Sequence, residues 1–164
     1  MKSLVFYILC LLSMCSFAQD NLSELLEKYN TKRVPYISVE QLAMPKTNAV
    51  ILDAREPQEY EISHLKNAIY VGYDNFDINT VINQIPNKEQ DIVVYCSLGI
   101  RSEIIASKLM KVGYINVKNL YGGIFEWKNK DFSIYNTQKK VTDSVHVFSK
   151  EWSKWLTKGI KVHE

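Results

Sequence analysis

One stretch in the middle of the chain combines an apolar strand, a short loop and a helix. Ile92–Tyr95 is apolar throughout, Cys96 begins the loop, Arg101 ends it, and a helical pattern runs over Ser102–Val112. A strand that passes directly into a helix is typical of parallel α/β sheets. Backbone N–H groups at the start of a helix favour negative charge and lower the pKa of a cysteine there. The stretch therefore predicts a parallel sheet whose central strand delivers a reactive thiol.

The rest of the core alternates between strands and helices. Strands are predicted at Val34–Ile37, Ala49–Asp53, Ala68–Val71 and Val117–Leu120, and helices after Ser38, from Pro57, over Ile78–Ile85 and after Gly122-Gly123. Pro35 makes the first strand an edge strand, because proline cannot donate to a central ladder. This alternation predicts an α/β domain with a mainly parallel central sheet flanked by helices. Ligands of such sheets bind beyond the carboxyl ends of the strands, where Asp53 and Cys96 lie.

The amino-terminal residues have the pattern of an export signal. Residues 1–18 have a positive start at Lys2, then an apolar run, then small side chains up to Ala18. This pattern is typical of a cleaved secretory signal peptide and predicts a periplasmic or secreted protein. The alternative is a lipoprotein signal that ends at Cys15, which would anchor the protein to a membrane. Residues 19–33 are predicted to hold a short amphipathic helix.

The other end of the chain also lies outside the predicted core of residues 34–130. Residues 131–164 begin with a polar stretch that is predicted to be a connecting loop. Val145, Phe148 and Trp152 follow at helical intervals, which predicts an amphipathic helix over Ser144–Lys158 that packs on the domain.

Cleavage after Ala18 removes Cys10 and Cys15, so that Cys96 becomes the sole cysteine of the mature protein. No internal disulfide can then form, even though exported proteins commonly carry them. The content of 46% apolar and 23% charged residues, with a net charge of +2, is ordinary for a globular domain and indicates neither nucleic acid nor an anionic membrane as partner. No cluster of side chains has metal-ligand spacing, so we expect no metal and no other cofactor.

The loop from Cys96 to Arg101 is suited to holding negative charge. If it wraps into a bowl, successive N–H groups point at the cysteine sulfur. Arg101 adds a fixed positive charge, Gly99 permits positive φ, and Ser102 is predicted to cap the helix. Such a bowl stabilises a thiolate, an attached terminal sulfur or an oxyanion. A buried, inert cysteine is the alternative.

Four motifs of the chain, taken in order, resemble those of the rhodanese-like domain family. They are Leu52–Pro57 with Glu59 and Tyr60, Ser63–Leu65 with Ala68 and Ile69, Val94–Ser102, and Leu120–Gly123 with Trp127. The resemblance implies a rhodanese-like three-layer α/β fold and a single-domain sulfurtransferase. In that activity Cys96 takes a sulfane sulfur from thiosulfate or a persulfide donor and passes it to an external thiol or to cyanide.

The resemblance also implies roles for individual residues. Cys96 and Arg101 would be catalytic. The residues that bind the sulfur group would be Ser97, Leu98, Gly99, Ile100 and Ser102. Asp53, Arg55 and Glu59 would form a supporting polar network that braces the site, and His64 would be structural. The partners would be small sulfur donors and thiol acceptors, or a partner thiol protein, and we expect a monomer.

Two features of the loop bear on the substrate. Its interior has no charge besides Arg101, which disfavours thiosulfate as donor and favours a persulfide. Four residues separate Cys96 from Arg101, one fewer than in cysteine phosphatases and arsenate reductases, so the bowl should suit a single sulfur better than a tetrahedral oxyanion. A non-catalytic rhodanese-like module for binding or sulfur sensing is a further alternative, because a fold does not determine a function.

Overall fold

The computed structural model describes residues 22–163, which fall into two compact units. The first unit ends at Lys32 and contains helix α1 (22–29). The second unit begins at Arg33 and contains every other element. The predicted signal peptide lies outside the described residues. Between residues 22 and 163, no helix is both long and apolar enough to span a bilayer.

A five-stranded parallel sheet forms the centre of the second unit. Its strands are β1 (Tyr36–Ile37), β2 (Val50–Asp53), β3 (Ile69–Tyr70), β4 (Ile92–Tyr95) and β5 (Val117–Leu120). Their spatial order is β1-β5-β4-β2-β3, so the strand after Pro35 is at the edge, as predicted, and β4 is in the middle. All four residues of β4 are buried, which agrees with their continuous apolar sequence.

Four helices connect the parallel strands, and a fifth follows the last of them, β5. They are α2 (Val39–Leu42), α3 (Pro57–Ile62), α4 (Ile78–Gln84), α5 (Arg101–Lys111) and α6 (Gly123–Asn129). The capping box predicted at Ser38 and Gln41 is present, and Pro57 occupies the first turn of α3. Buried side chains of α4 and α5, among them Val81, Ile105 and Leu109, join Val94 of β4 in the main apolar core. The predicted α/β class and parallel sheet are therefore confirmed.

The structure corrects the start of α5. The helix begins at Arg101, and Ile100 occupies its N-cap position, so Ser102 does not cap the helix as predicted. Ser102 lies in the first turn and is fully buried. Its side chain turns toward the cysteine loop, because Asn119 of β5 offers it a hydrogen-bond acceptor there.

The predicted structure of the C-terminal segment was wrong. β6 (Ile134–Tyr135) and β7 (Val141–Thr142) form an antiparallel pair within the predicted loop. The helix predicted over Ser144–Lys158 is replaced by β8 (Ser144–His146) and a 3₁₀ helix (Trp152–Trp155), and β8 pairs in parallel with the following strand β9 (Ile160–Val162). Val145 and Val147 are β-branched and both fully buried, and such residues favour extended backbone over helix.

Candidate active site

Cys96 directly follows β4, at the carboxyl end of the central strand. Its side chain is only 2% exposed. The start of α6 holds the loop in place, because the N–H of Ile124 donates to Cys96 O at 2.9 Å and the N–H of Phe125 donates to Ser97 O at 3.2 Å. The backbone at Cys96 is therefore held by β4, which precedes it, and by the start of α6.

Gly123 allows α6 to approach the cysteine loop this closely. Its φ is +55°, and a Cβ at this position would lie 2.2 Å from Cys96 O and 2.7 Å from both C and O of Ser97. These contacts are to backbone atoms, which cannot move aside as a flexible side chain can. Only glycine fits here.

Hydrogen-bond donors from the loop and from the first turn of α5 contact the cysteine sulfur. The N–H of Gly99 donates to Cys96 Sγ at 3.1 Å, and the hydroxyl oxygen of Ser102 lies 3.4 Å from it. Asn119 holds both in place, because its Oδ1 accepts from Ser102 Oγ at 2.7 Å and its Nδ2 donates to Gly99 O at 2.7 Å. Asn119 was not predicted; its alternation with Val117 along β5 places it on a buried side of the strand, where an amide needs hydrogen-bond partners.

The surroundings of Cys96 determine how readily its thiol ionises. Burial by itself raises the pKa of Cys96. The charge of Arg101 and the hydrogen bonds from Ser102 and from the Gly99 N–H act in the opposite direction, because they stabilise the thiolate. They outweigh burial, so the pKa of Cys96 lies below the ordinary value for cysteine. The thiolate, which is the nucleophilic form, is therefore favoured.

Arg101 forms a bidentate ion pair with Glu59 of α3. Its Nη1 lies 2.6 Å from Glu59 Oε2, and its Nη2 lies 2.8 Å from Glu59 Oε1. Ser97 Oγ joins both partners, since it accepts from Arg101 Nη2 at 2.9 Å and donates to Glu59 Oε1 at 2.9 Å. Arg101 thus acts on the sulfur through its charge, while its fork of donors is directed at Glu59 and Ser97.

Glu59 and Arg101 each stabilise the charged form of the other. Burial raises the pKa of Glu59, but the hydrogen bond and charge of Arg101, followed by the charge of Arg55, outweigh it and bring the pKa below the ordinary value. Burial likewise lowers the pKa of Arg101, and the pair with Glu59 more than compensates. Glu59 also accepts the N–H of Glu56 at 3.0 Å, which anchors the carboxylate to its own helix.

Asp53 and Arg55 form a separate, fully buried brace. Arg55 Nε and Nη2 lie 2.9 Å and 2.6 Å from the two carboxylate oxygens of Asp53, and Nη2 also donates to Ser63 O at 2.6 Å. The Tyr95 hydroxyl donates to Asp53 Oδ2 and accepts the N–H of Leu65. This network links β2, β4 and the segment after α3. Of the three predicted supporting residues, Glu59 is the one that contacts the cysteine loop.

The other predicted residues have distinct positions. Leu98 is buried in the loop, and Ile100 is partly exposed at its end. His64 Nδ1 lies 3.0 Å from Leu65 O and its ring stacks on Tyr60 with centroids 4.3 Å apart, which is a structural arrangement. Within residues 22–163 no group of three or more His, Cys, Asp or Glu side chains is arranged to hold a metal.

Phe148 is a second residue of the site that the sequence did not predict. Its ring centroid lies 4.7 Å from Arg101 Cζ. The segment that carries it was predicted to be helical, and on a helix the aromatic spacing indicated packing alone. The contact with Arg101 depends on how the C-terminal segment folds back onto the core.

A family model described as "Rhodanese-like domain" matches residues 38–130. A tRNA uridine(34) hydroxylase of Photorhabdus laumondii is 33% identical over 61% of this chain and 30% of its own length. An adenylyltransferase and sulfurtransferase UBA4 of Candida albicans is 33% identical over 63% of this chain and 24% of its own length. The chain thus spans less than a third of these curated relatives. A solved thiosulfate sulfurtransferase of Pseudomonas aeruginosa superposes with a TM-score of 0.60 at 24% identity, covering 81% of this chain and 25% of that one.

Proposed function

Because the rhodanese-like model matches more than half of its residues, the chain belongs to the rhodanese-like domain family, and we propose that it is a sulfurtransferase that carries the transferred sulfur as a persulfide on Cys96. The single observation that carries the proposal is the environment of Cys96 Sγ. The Gly99 N–H and the Ser102 hydroxyl contact a sulfur whose pKa is lowered, at the carboxyl end of the central strand. A named sulfurtransferase among the relatives supports the same chemistry.

The transfer takes place in two displacements. The Cys96 thiolate attacks the outer sulfur of a persulfide donor, the sulfur–sulfur bond of the donor breaks, and its electron pair leaves on the donor thiolate. Cys96 then holds one additional sulfur. An acceptor thiolate attacks that outer sulfur, forms its own persulfide and returns the electron pair to Cys96 as thiolate. In both states negative charge remains near the Gly99 N–H and Ser102, which stabilise it.

The donor is proposed to be a persulfide in preference to thiosulfate. Thiosulfate is a dianion and requires free positive charge at the entrance of the site. Both terminal nitrogens of Arg101 are directed at Glu59, and the loop interior from Ser97 to Ile100 carries no charged side chain. A persulfide on a small thiol or a partner protein delivers its sulfur without that requirement.

The acceptor is proposed to be an external molecule. Cys96 is the one cysteine within residues 22–163, and it is free. Without a second thiol nearby, the persulfide sulfur cannot be released by an internal disulfide. The predicted signal peptide would place this relay in the periplasm or outside the cell, and N-terminal sequencing of the exported protein tests that location.

The experiment is sulfur loading followed by peptide mass measurement. Incubation with a small-thiol persulfide should add one sulfur atom to the peptide that contains Cys96, and cyanide should remove it. Cys96→Ser should gain nothing, while Ser63→Ala, a buried serine outside the loop, should load normally. Absence of loading in the wild-type protein would contradict the proposal and favour a binding module. Hydrolysis of an aryl phosphate would favour phosphatase chemistry instead.

A further inference from the structure

The C-terminal segment brings an aromatic ring onto the active-site arginine. The centroid of the Phe148 ring lies 4.7 Å from Arg101 Cζ. At this distance the negative face of the ring attracts the guanidinium and covers it. Phe148 is 51% exposed as a whole residue, whereas the side chain of Arg101 is largely buried, at 14% exposed. Phe148 is therefore the outer member of the pair, and Arg101 lies beneath it.

The backbone holds Phe148 in a conformation that it would not adopt alone. Its φ is +60°, a region that side chains larger than glycine rarely occupy unless their surroundings impose it. His146 Nδ1 accepts the N–H of Phe148 at 3.1 Å, and His146 is buried. The adjacent Val147 is fully buried and its N–H donates to Val162 O at 3.0 Å. The backbone at Phe148, two residues after β8 ends, is thus held by both β8 and β9.

We propose that Phe148 is a specificity-determining residue of the cysteine site, which screens Arg101 from incoming oxyanions and thereby selects against sulfur donors that carry an anionic oxygen group, such as thiosulfate. Both terminal nitrogens of Arg101 are directed at Glu59 and Ser97, and the guanidinium lies over the ring of Phe148. The positive charge of Arg101 then acts on Cys96 and is not accessible to a substrate. Phe148 lies outside the matched family region, so this selectivity belongs to the segment that this chain adds to its core.

The consequence for sulfur donors rests on the proposed function, but the test of screening does not. Alkylation of Cys96 needs only its thiolate, and two reagents of similar size differ in charge: iodoacetamide is neutral and iodoacetate is an anion. The ratio of their rate constants at Cys96, read from the mass of the Cys96 peptide, cancels any change in thiolate fraction or general access. The ratio therefore reports how strongly the site attracts or excludes an anion.

Phe148→Ala should raise the iodoacetate-to-iodoacetamide ratio about threefold to tenfold, because the guanidinium face opens to the anion. Added salt should reduce this gain, since it screens exposed charges. Phe148→Tyr keeps the ring and should leave the ratio unchanged. Phe148→Leu should raise it in the same direction by less, and keeps the test available if the alanine variant does not fold.

An unchanged ratio in folded Phe148→Ala, or an equal rise in Phe148→Tyr, would overturn the proposal. Sulfur loading then separates the two hypotheses. If the wild-type protein accepts sulfur, Phe148→Ala should increase loading from thiosulfate relative to a small-thiol persulfide by a similar factor. If the wild-type protein accepts none, the proposed function fails while the alkylation ratio still decides whether Phe148 screens Arg101.

Discussion

The hydroxyl oxygen of Ser102 lies 3.4 Å from Cys96 Sγ, six positions away along the chain. The first turn of α5 thereby places a hydrogen-bond donor beside Cys96, the residue that begins the loop. The same hydroxyl lies 2.7 Å from Asn119 Oδ1, so its single hydrogen is shared between a side chain that positions it and a sulfur that it stabilises. This relationship makes the ionisation of Cys96 sensitive to Ser102.

Ser102→Ala should raise the pKa of Cys96. The hydrogen bond from Ser102 contributes to lowering that pKa, so its loss moves ionisation to higher pH. Iodoacetamide alkylation followed against pH should show a later midpoint, slower reaction at neutral pH and an unchanged plateau at high pH. Ser63→Ala is the control, because the Ser63 hydroxyl has no hydrogen-bond partner among residues 22–163. Equal midpoints in wild type and Ser102→Ala would refute this role.

Glu59→Gln should destabilise the fold by about 3 kcal/mol at neutral pH, because it leaves the largely buried Arg101 without its counter-ion. The pKa of Glu59 is lowered on folding, so the stabilisation is present above the unfolded value near 4.3 and is lost as pH falls through the folded value. On acidification to about pH 3, the free energy of unfolding in urea should therefore fall less for Glu59→Gln than for the wild-type protein.

Glu40→Gln is the control for Glu59, because its pair with Lys130 is exposed. It should change the free energy of unfolding by less than about 1 kcal/mol. A comparable loss in both variants would mean that burial of the Glu59–Arg101 pair has no special effect.

Arg55→Leu should destabilise the protein by about 3–5 kcal/mol, because it leaves the carboxylate of Asp53 buried without its cation. In the remaining folded protein, the pH midpoint for alkylation of Cys96 should shift less than in Ser102→Ala, since Arg55 contacts Asp53 and Ser63 and not the sulfur. Urea unfolding and alkylation of the same sample check both parts. A larger shift than in Ser102→Ala would place Arg55 in the chemistry.

Gly123→Ala should lower both stability and the reactivity of Cys96, since the added Cβ would displace the Cys96–Ser97 backbone. Gly113→Ala is a matched control: Gly113 also has positive φ, at +96°, but nothing lies within 4 Å of its added Cβ. Backbone strain of roughly 1–2 kcal/mol is common to both variants, so the clash accounts for the difference. Equal unfolding free energies and equal alkylation rates in the two variants would contradict the close-approach argument.

Features that depend on neighbours along the chain were determined by the sequence alone. Pro35 placed β1 at the edge of the sheet, and Ser38 with Gln41 began α2. The apolar run before Cys96 formed the buried central strand. Each follows from a local rule, such as a missing donor, a cap three residues away or a continuous apolar surface, and such rules act within one or two turns of chain.

Tertiary structure alone decided which side chains meet at Cys96. Glu59 and Arg101 are 42 residues apart, and they meet because α3 and the cysteine loop follow the adjacent strands β2 and β4. The sequence predicts Ser102 as a helix cap, but in the fold its hydroxyl donates to Asn119 of β5. Phe148 contacts Arg101 because β8 pairs with β9. These contacts depend on strand order and on competition among distant partners for one donor, neither of which a local pattern of residues records.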